Sequence, residues 1–352
     1  MHMQAKLLDR EQIKAWVDRL LGHYRVTAPV MRDGIMIFDW LETAGDLQLP
    51  RGAITKVSAK HALLSRTEVL FYYRTKSGRA TTAPPPPPQP QVIFGIHPCD
   101  VQAVKVLDAV FRAPPYPDTL YLARREVTTL VGLGALPSEV PNHCFFESLG
   151  ISAMDNRDCD LFLAPLGGDK YVLELLTEKG AAIAASLPSS AEPDPGELNT
   201  LKQLRAEAAA RVNNCFASPE FHAAVARFFD SPLWDNLAET CIACAACTYL
   251  CPTCHCFDIQ DETHGDLGCR VRNWDTCQFD IFTLHASGHN PRPAQKQRAR
   301  QRIFHKFDYG LKNFGLPFCV GCGRCALACP LHNNLLTILR KIAAEKSQET
   351  KP

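Results

Sequence analysis

The stretch CIACAACTYLCPTCHC, residues 241–256, sets six cysteines within sixteen residues. A tetrahedral metal ion or a single iron–sulfur cluster takes four thiolates, so the stretch carries more sulfur than one site uses. A second stretch, CVGCGRCALACP at residues 319–330, has the same spacing. Cys241, Cys244, Cys247 and Cys251-Pro252 in the first, and Cys319, Cys322, Cys325 and Cys329-Pro330 in the second, both read C-x2-C-x2-C-x3-C-P. Three closely spaced thiolates suit three corners of a cubane, and the fourth cysteine, followed by a chain-turning proline, points to the other cluster. The spacing therefore predicts two 4Fe-4S clusters with crossed ligand sets: Cys241, Cys244, Cys247 and Cys329 for one, Cys319, Cys322, Cys325 and Cys251 for the other. Structural zinc also uses C-x2-C pairs, but it needs two such pairs rather than a repeated triplet followed by C-P.

Cys254 and Cys256 are left over, and with Cys277 they read as thiols beside the clusters. Two cubanes in one small region suit the passage of single electrons, a relay rather than a substrate site. The spacer, residues 252–318, is longer than a minimal ferredoxin needs and carries Cys269, Cys277 and a basic run from Arg292 to Lys306. That run reads either as a solvated helix face or as charges, Arg298, Arg300 and Arg302, that offset anionic clusters or dock an acidic partner. A reading of another class is a zinc-stabilised module whose stretch 292–306 contacts nucleic acid. Gly321-Cys322-Gly323-Arg324-Cys325-Ala326 matches a dinucleotide fingerprint in form, but no strand–helix unit surrounds it. His255 and His289 read as structural.

A chain of 352 residues predicts two domains. Its composition, 46% hydrophobic and 21% charged with formal net charge +1, is that of a globular protein and argues against a polyanion-binding specialist. No run approaches the roughly 18 apolar residues of a membrane span, and the start MHMQAKLLDR lacks the apolar core of a signal peptide, so a cytoplasmic location is expected. In such a reducing compartment, twelve cysteines crowded into residues 241–329 mean metal rather than disulfides. LDREQIKAWVDRLLGHY predicts a surface helix capped by Asp9, with Ile13, Trp16, Val17, Leu20 and Leu21 on one face. GIMIFDWL, TEVLFYYR and QVIFGI predict strands. VQAVKVLDAVF predicts a helix capped by Asp100, with Cys99 on the turn before it. TTAPPPPPQP, residues 81–90, predicts an exposed polyproline insertion, and SLPSSAEPDPGELNT, residues 186–200, a linker. The expected fold is α+β: a mixed α/β domain over 1–231, a largely helical ferredoxin-like dicluster domain over 232–345 with the insertion 252–318, and a flexible tail at 346–352.

CPTCHCFD, RNWDTCQF, GHNPR, HKFDYG and CVGCGRC, with FGIHPCDVQAVKVLDAVF and HCFFESLG upstream, resemble the iron–sulfur beta subunit of cytoplasmic sulfhydrogenases, which are multi-subunit nickel–iron hydrogenases, and the related A subunit of anaerobic sulfite reductase. The resemblance implies an electron-transfer subunit between a flavin-containing, NAD(P)H-reactive subunit and a hydrogenase or sulfite reductase catalytic subunit. Members of the family often carry further N-terminal cysteines, one in a PCD turn and others ending C-F-C, that ligate an additional cluster. Here Cys99 matches the turn and Cys144 the first cysteine of that ending, but Phe146 stands where the last would be, and GLGALPSEV at 132–140 offers none. Two thiolates cannot anchor a cubane unaided, so Cys99 and Cys144 are expected to form a degenerate site, without a third cluster unless other ligands complete it.

Overall fold

The run Gln91–Ile96 is buried at every residue, as a strand covered on both faces requires. It lies inside a sheet that fixes the rest of the molecule. The computed structural model describes residues 5–52 and 54–349. In chain order the strands are β1 (Ala5–Asp9), β2 (Arg25–Arg32), β3 (Ile35–Trp40), β4 (Thr67–Lys76), β5 (Arg79–Ala83), β6 (Gln91–Ile96), β7 (Thr128–Leu133), β8 (Leu161–Gly167), β9 (Lys170–Leu175), β10 (Phe257–His264) and β11 (Leu267–Trp274). Among the described residues, seven of them form one sheet in the order β1-β9-β8-β7-β6-β2-β3. Its centre, β2-β6-β7-β8, is parallel. Both margins turn antiparallel.

Successive strand residues point to opposite faces, and each face has its own cover. Val92, Phe94, Val131 and Leu163 meet Ile13, Trp16, Val17 and Leu20 of helix Arg10–Leu21. Ile93, Leu130, Phe162 and Ala164 meet Val101, Val104 and Leu107 of helix Pro98–Phe111. The first helix starts at Asp9, whose carboxylate accepts from Gln12 N at 2.8 Å while the Gln12 side chain accepts from Asp9 N at 2.9 Å. It is more than a surface helix: Trp16 is wholly buried, edge-on to Phe94 at 5.4 Å between ring centroids.

Two local expectations need correction. Helix Pro98–Phe111 is capped by His97, not Asp100; Pro98 suits the first helical position, which moves the start back and places Cys99 inside the helix. Asp100 is thereby free to pair with Arg324, both Nη atoms lying 2.6 Å from its carboxylate oxygens. Thr81, Thr82 and Ala83 belong to β5, paired with β4, because ladder donors run out only at the prolines that follow. Helix Leu335–Glu349 extends through the beginning of the tail expected to be flexible from 346, and residues 350–352 lie outside the described residues.

A second sheet, β10-β11-β4-β5, unites stretches far apart in sequence. The hairpin β10–β11 comes from the spacer between the cysteine motifs, yet β11 pairs with β4 from Leu267↔Arg74 to Asn273↔Thr67. Buried charges fasten the joint: Arg272, 3% exposed at its side chain, pairs with Glu68 and Asp118, and Glu68 also pairs with Arg124. The cysteine region has a separate apolar core, with Phe221, Trp234, Ile303, Phe304, Phe307 and Leu339 at its centre. It docks where the parallel strands end. Cys99 after β6 and Ala135 after β7 share a buried cluster with Val320 and Cys322.

Candidate metal centres

The two motifs fold alike at matching positions. Ala243 and Ala245 in the first have φ of +55° and +60°, and Gly321 and Gly323 in the second have +63° and +71°. Left-handed residues placed between right-handed ones turn successive N–H groups toward one concavity, a nest suited to anionic sulfur. A short helix follows each nest, Ala246–Tyr249 and Arg324–Ala328. The second copy uses glycine for a further reason: a Cβ on Gly321 would sit 2.4 Å from Phe146 N, and one on Gly323 2.4 Å from His143 O. That motif is pressed against the segment carrying Cys144.

Cys241, Cys244 and Cys247 line one largely apolar cavity together with Cys329, which the second motif contributes. Gln295 Nε2 donates to Cys241 Sγ at 3.1 Å, and Asn333 N to Cys329 Sγ at 3.3 Å. The remaining thiols group elsewhere. Cys319 and Cys322 both feel Cys251 and Cys325 as neighbouring sulfurs. Burial pushes the Cys319 and Cys322 thiols up to about 12. Cys251 behaves oppositely: the Cys254 thiol donates to it and, against its burial, the Lys306 ammonium helps hold it well below the usual thiol range.

The basic run turns inward. Arg298, Arg302 and Lys306, four residues apart, are 8%, 8% and 3% exposed, which corrects the solvated-face reading and removes three cations from any nucleic-acid surface. Lys306 Nζ lies 3.2 Å from Cys251 Sγ, 3.1 Å from Thr253 Oγ1 and 3.1 Å from Phe318 O. It sits in a π-helical turn, His305–Tyr309, a local widening often found at functional sites. Burial opposes the Arg302 charge, but the sulfurs of Cys247, Cys325, Cys254 and Cys251 outweigh it. Arg300 instead lies over the Phe229 ring at 3.6 Å.

Two observations test whether these residues suit 4Fe-4S cubanes. Arg302 Nε and Nη2 are buried and, among the described residues, find no hydrogen-bond partner; an anionic cluster would supply the opposite charge. Cys319 and Cys322 would stay protonated as bare thiols, whereas a bound metal deprotonates its thiol ligands. The donor set fits.

Of the surplus thiols, Cys254 contacts Cys251, and Cys256 contacts Cys277. Cys277 is held at about 6, first by the hydrogen bond from Cys256 and then, against burial, by Gln278. Cys99 and Cys144 sit against the second motif, in an apolar cluster with Phe146, Ile151, Ala153 and Cys322, and Cys144 Sγ lies 3.6 Å from Cys322 O. His97 Nδ1 is 3.2 Å from Cys99 Sγ, and burial raises the Cys144 thiol to about 12. His255 is structural in its contacts, with Nδ1 2.9 Å from Thr253 O and rings of His305 and Phe318 about it. His289 meets only His285 among the aromatic rings of the described residues, at 5.3 Å.

Sequence reasoning missed Lys60. It donates to Cys254 O at 2.9 Å and covers the Trp274 ring at 3.8 Å, although it comes from a four-residue helix near β4. A lysine beside alanine and leucine in a short helix carries no local mark of burial.

Paired nests, two thiol groups and buried cations define an iron–sulfur protein of the electron-transfer kind, and comparison with known proteins agrees. Residues 240–333 match the family model for a 4Fe-4S dicluster domain. The chain is 32% identical to the sulfhydrogenase 2 subunit beta of Pyrococcus furiosus over 257 residues, covering 71% of this chain and 73% of that one. It belongs to the family of sulfhydrogenase iron–sulfur beta subunits. Among the described residues no helix is long and apolar enough to cross a membrane.

Proposed function

We propose that the chain relays electrons through two 4Fe-4S clusters, between a flavin-containing NAD(P)H-reactive subunit and a hydrogenase or sulfur-reducing catalytic subunit in the cytoplasm. One cluster is assigned to Cys241, Cys244, Cys247 and Cys329, the other to Cys319, Cys322, Cys325 and Cys251. The observation that carries this reading is the presence of Cys329 in the cavity built by the first motif. Crossed ligation of that kind places two clusters side by side. The clusters, when bound, supply one-electron storage. The protein's own part is to enclose them, to aim N–H groups and Gln295, Asn333 and Lys306 at their thiolates, and to set buried positive charge between them. Such surroundings raise a cluster's affinity for an electron. Residues 232–345 are taken as the cluster-binding unit and 1–231 as the domain that supports it.

Anaerobic purification of the native complex tests the proposal. About eight irons per chain and co-purifying flavin and nickel subunits are expected. A sirohaem subunit in their place would assign the chain to a sulfite reductase, and a colourless zinc protein would remove the relay altogether.

A further inference from the structure

Cys256 and Cys277 stand at the two feet of the β10–β11 hairpin. Phe257 pairs with Trp274 as its last rung, and Asp275 N donates to Cys256 O at 3.0 Å just beyond. The two thiols are neighbours there, close enough for each to act on the other's ionisation. The foot bearing Cys277 is tied to the first motif: Thr276 and Thr248, each next to a cysteine in sequence, share a 2.7 Å hydroxyl contact. Gln278 Nε2 lies 3.3 Å from Cys277 Sγ and 3.1 Å from Arg298 O. Gln278 also lines the cavity of Cys241, Cys244, Cys247 and Cys329. Neither thiol belongs to the eight assigned above, and Cys277 is buried, so an oxidant in solution meets it poorly. On the relay reading, electron acceptors lie within the protein instead.

We propose that Cys256 and Cys277 form a reversible dithiol–disulfide pair that exchanges two electrons with the neighbouring clusters. The inference rests on the relay reading for its electron acceptors. On oxidation both S–H bonds break and one S–S bond forms, Cys256 to Cys277. The two electrons go to two oxidised 4Fe-4S clusters, one each, and the two protons leave to water on the half-buried Cys256 side. Reduction reverses each step. A carrier of single electrons thereby gains a two-electron store, matched to a partner that moves electrons in pairs. The disulfide also staples the hairpin at its base.

The test uses the intact, anaerobically purified complex, oxidised with thionine in one portion and reduced with dithionite in another. Each is acid-quenched, alkylated with N-ethylmaleimide after denaturation, digested and mass-mapped. A Cys256–Cys277 crosslinked peptide is expected in the oxidised portion and two alkylated peptides in the reduced one. Coulometric reduction of a Cys256→Ser complex is expected to take up two electrons fewer per chain than wild type, with iron content unchanged. Cys277→Ala should give the same deficit. Free alkylated thiols in the oxidised portion, or equal electron uptake, would overturn the proposal. So would loss of iron in both variants, which would make the two cysteines ligands. Failure of the relay reading is seen separately, as zinc or absent iron in the wild-type metal analysis.

Discussion

Lys306 is a full positive charge with almost no access to water, and its partners are sulfur and oxygen atoms at one edge of the second thiol group. Lys306→Gln keeps a donor and removes the charge. At an effective dielectric of about 20 and a separation of roughly 6 Å, one unit charge is worth about 3 kcal/mol, on the order of 100 mV for one electron. The potential of the cluster assigned to Cys319, Cys322, Cys325 and Cys251 should fall by that order, read by potentiometric titration followed by electron paramagnetic resonance. Histidines set a different dependence. Burial holds His97 at about 4 and His305 at about 3, so both remain neutral in the fold. An unfolded histidine protonates below about 6.5, so between that value and the folded ones the unfolded state binds more protons. Stability from these groups therefore falls as pH drops below about 6.5, with a slope approaching two protons from His97 and His305 and a further share from His61, His143 and His255, whose burial also lowers them. Urea midpoints measured anaerobically at pH 7 and pH 5 check this, and His305→Gln should flatten the decline by one proton's share.

Between elements, the junction of β4 and β11 depends on Glu68, which faces both Arg272 and Arg124. Glu68→Ala leaves a buried guanidinium short of its counter-charge and should cost about 3–5 kcal/mol. Hydrogen exchange should accelerate in β10 and β11 before the seven-stranded sheet responds. Of that sheet, β3, β6 and the helix packed on it were readable from sequence: QVIFGI is apolar after Gln91, and the helix after Asp9 repeats its apolar residues at helical spacing. The 4Fe-4S character of the cysteine motifs was readable because their spacing is local. The β4–β11 pairing was not, since strand partnership is decided by contacts between distant segments and the spacer FDIQDETH is mostly polar. The inward turn of the basic run was half legible: Arg298, Arg302 and Lys306 share a helical stripe, but a stripe of charge reads as solvated unless the sulfur facing it is known. Asp100 misled for a related reason, because a carboxylate near a helix start resembles a cap until Arg324 is seen opposite.

Across the whole molecule, the position of Cys99 and Cys144 is packed with side chains. Phe146 is 1% exposed against His97, and the Asp100–Arg324 pair closes the space beside Cys99. Cys99→Ala should therefore leave iron at about eight per chain and the visible spectrum unaltered, whereas Cys329→Ala should lower the iron content although it lies in the second motif. Iron analysis and cluster spectroscopy on the two variants decide it; a loss of about four irons in Cys99→Ala would restore a third centre. The shared second sheet has a consequence in time. β4 and β5 leave the ribosome early, but one edge of β4 stays bare until Leu267–Trp274 has been synthesised. An uncovered strand edge invites pairing with a neighbouring chain. Every nascent copy passes through an interval of self-association risk that ends only when the region between the two cysteine motifs emerges, and chains arrested before that point should accumulate as aggregates rather than as soluble halves.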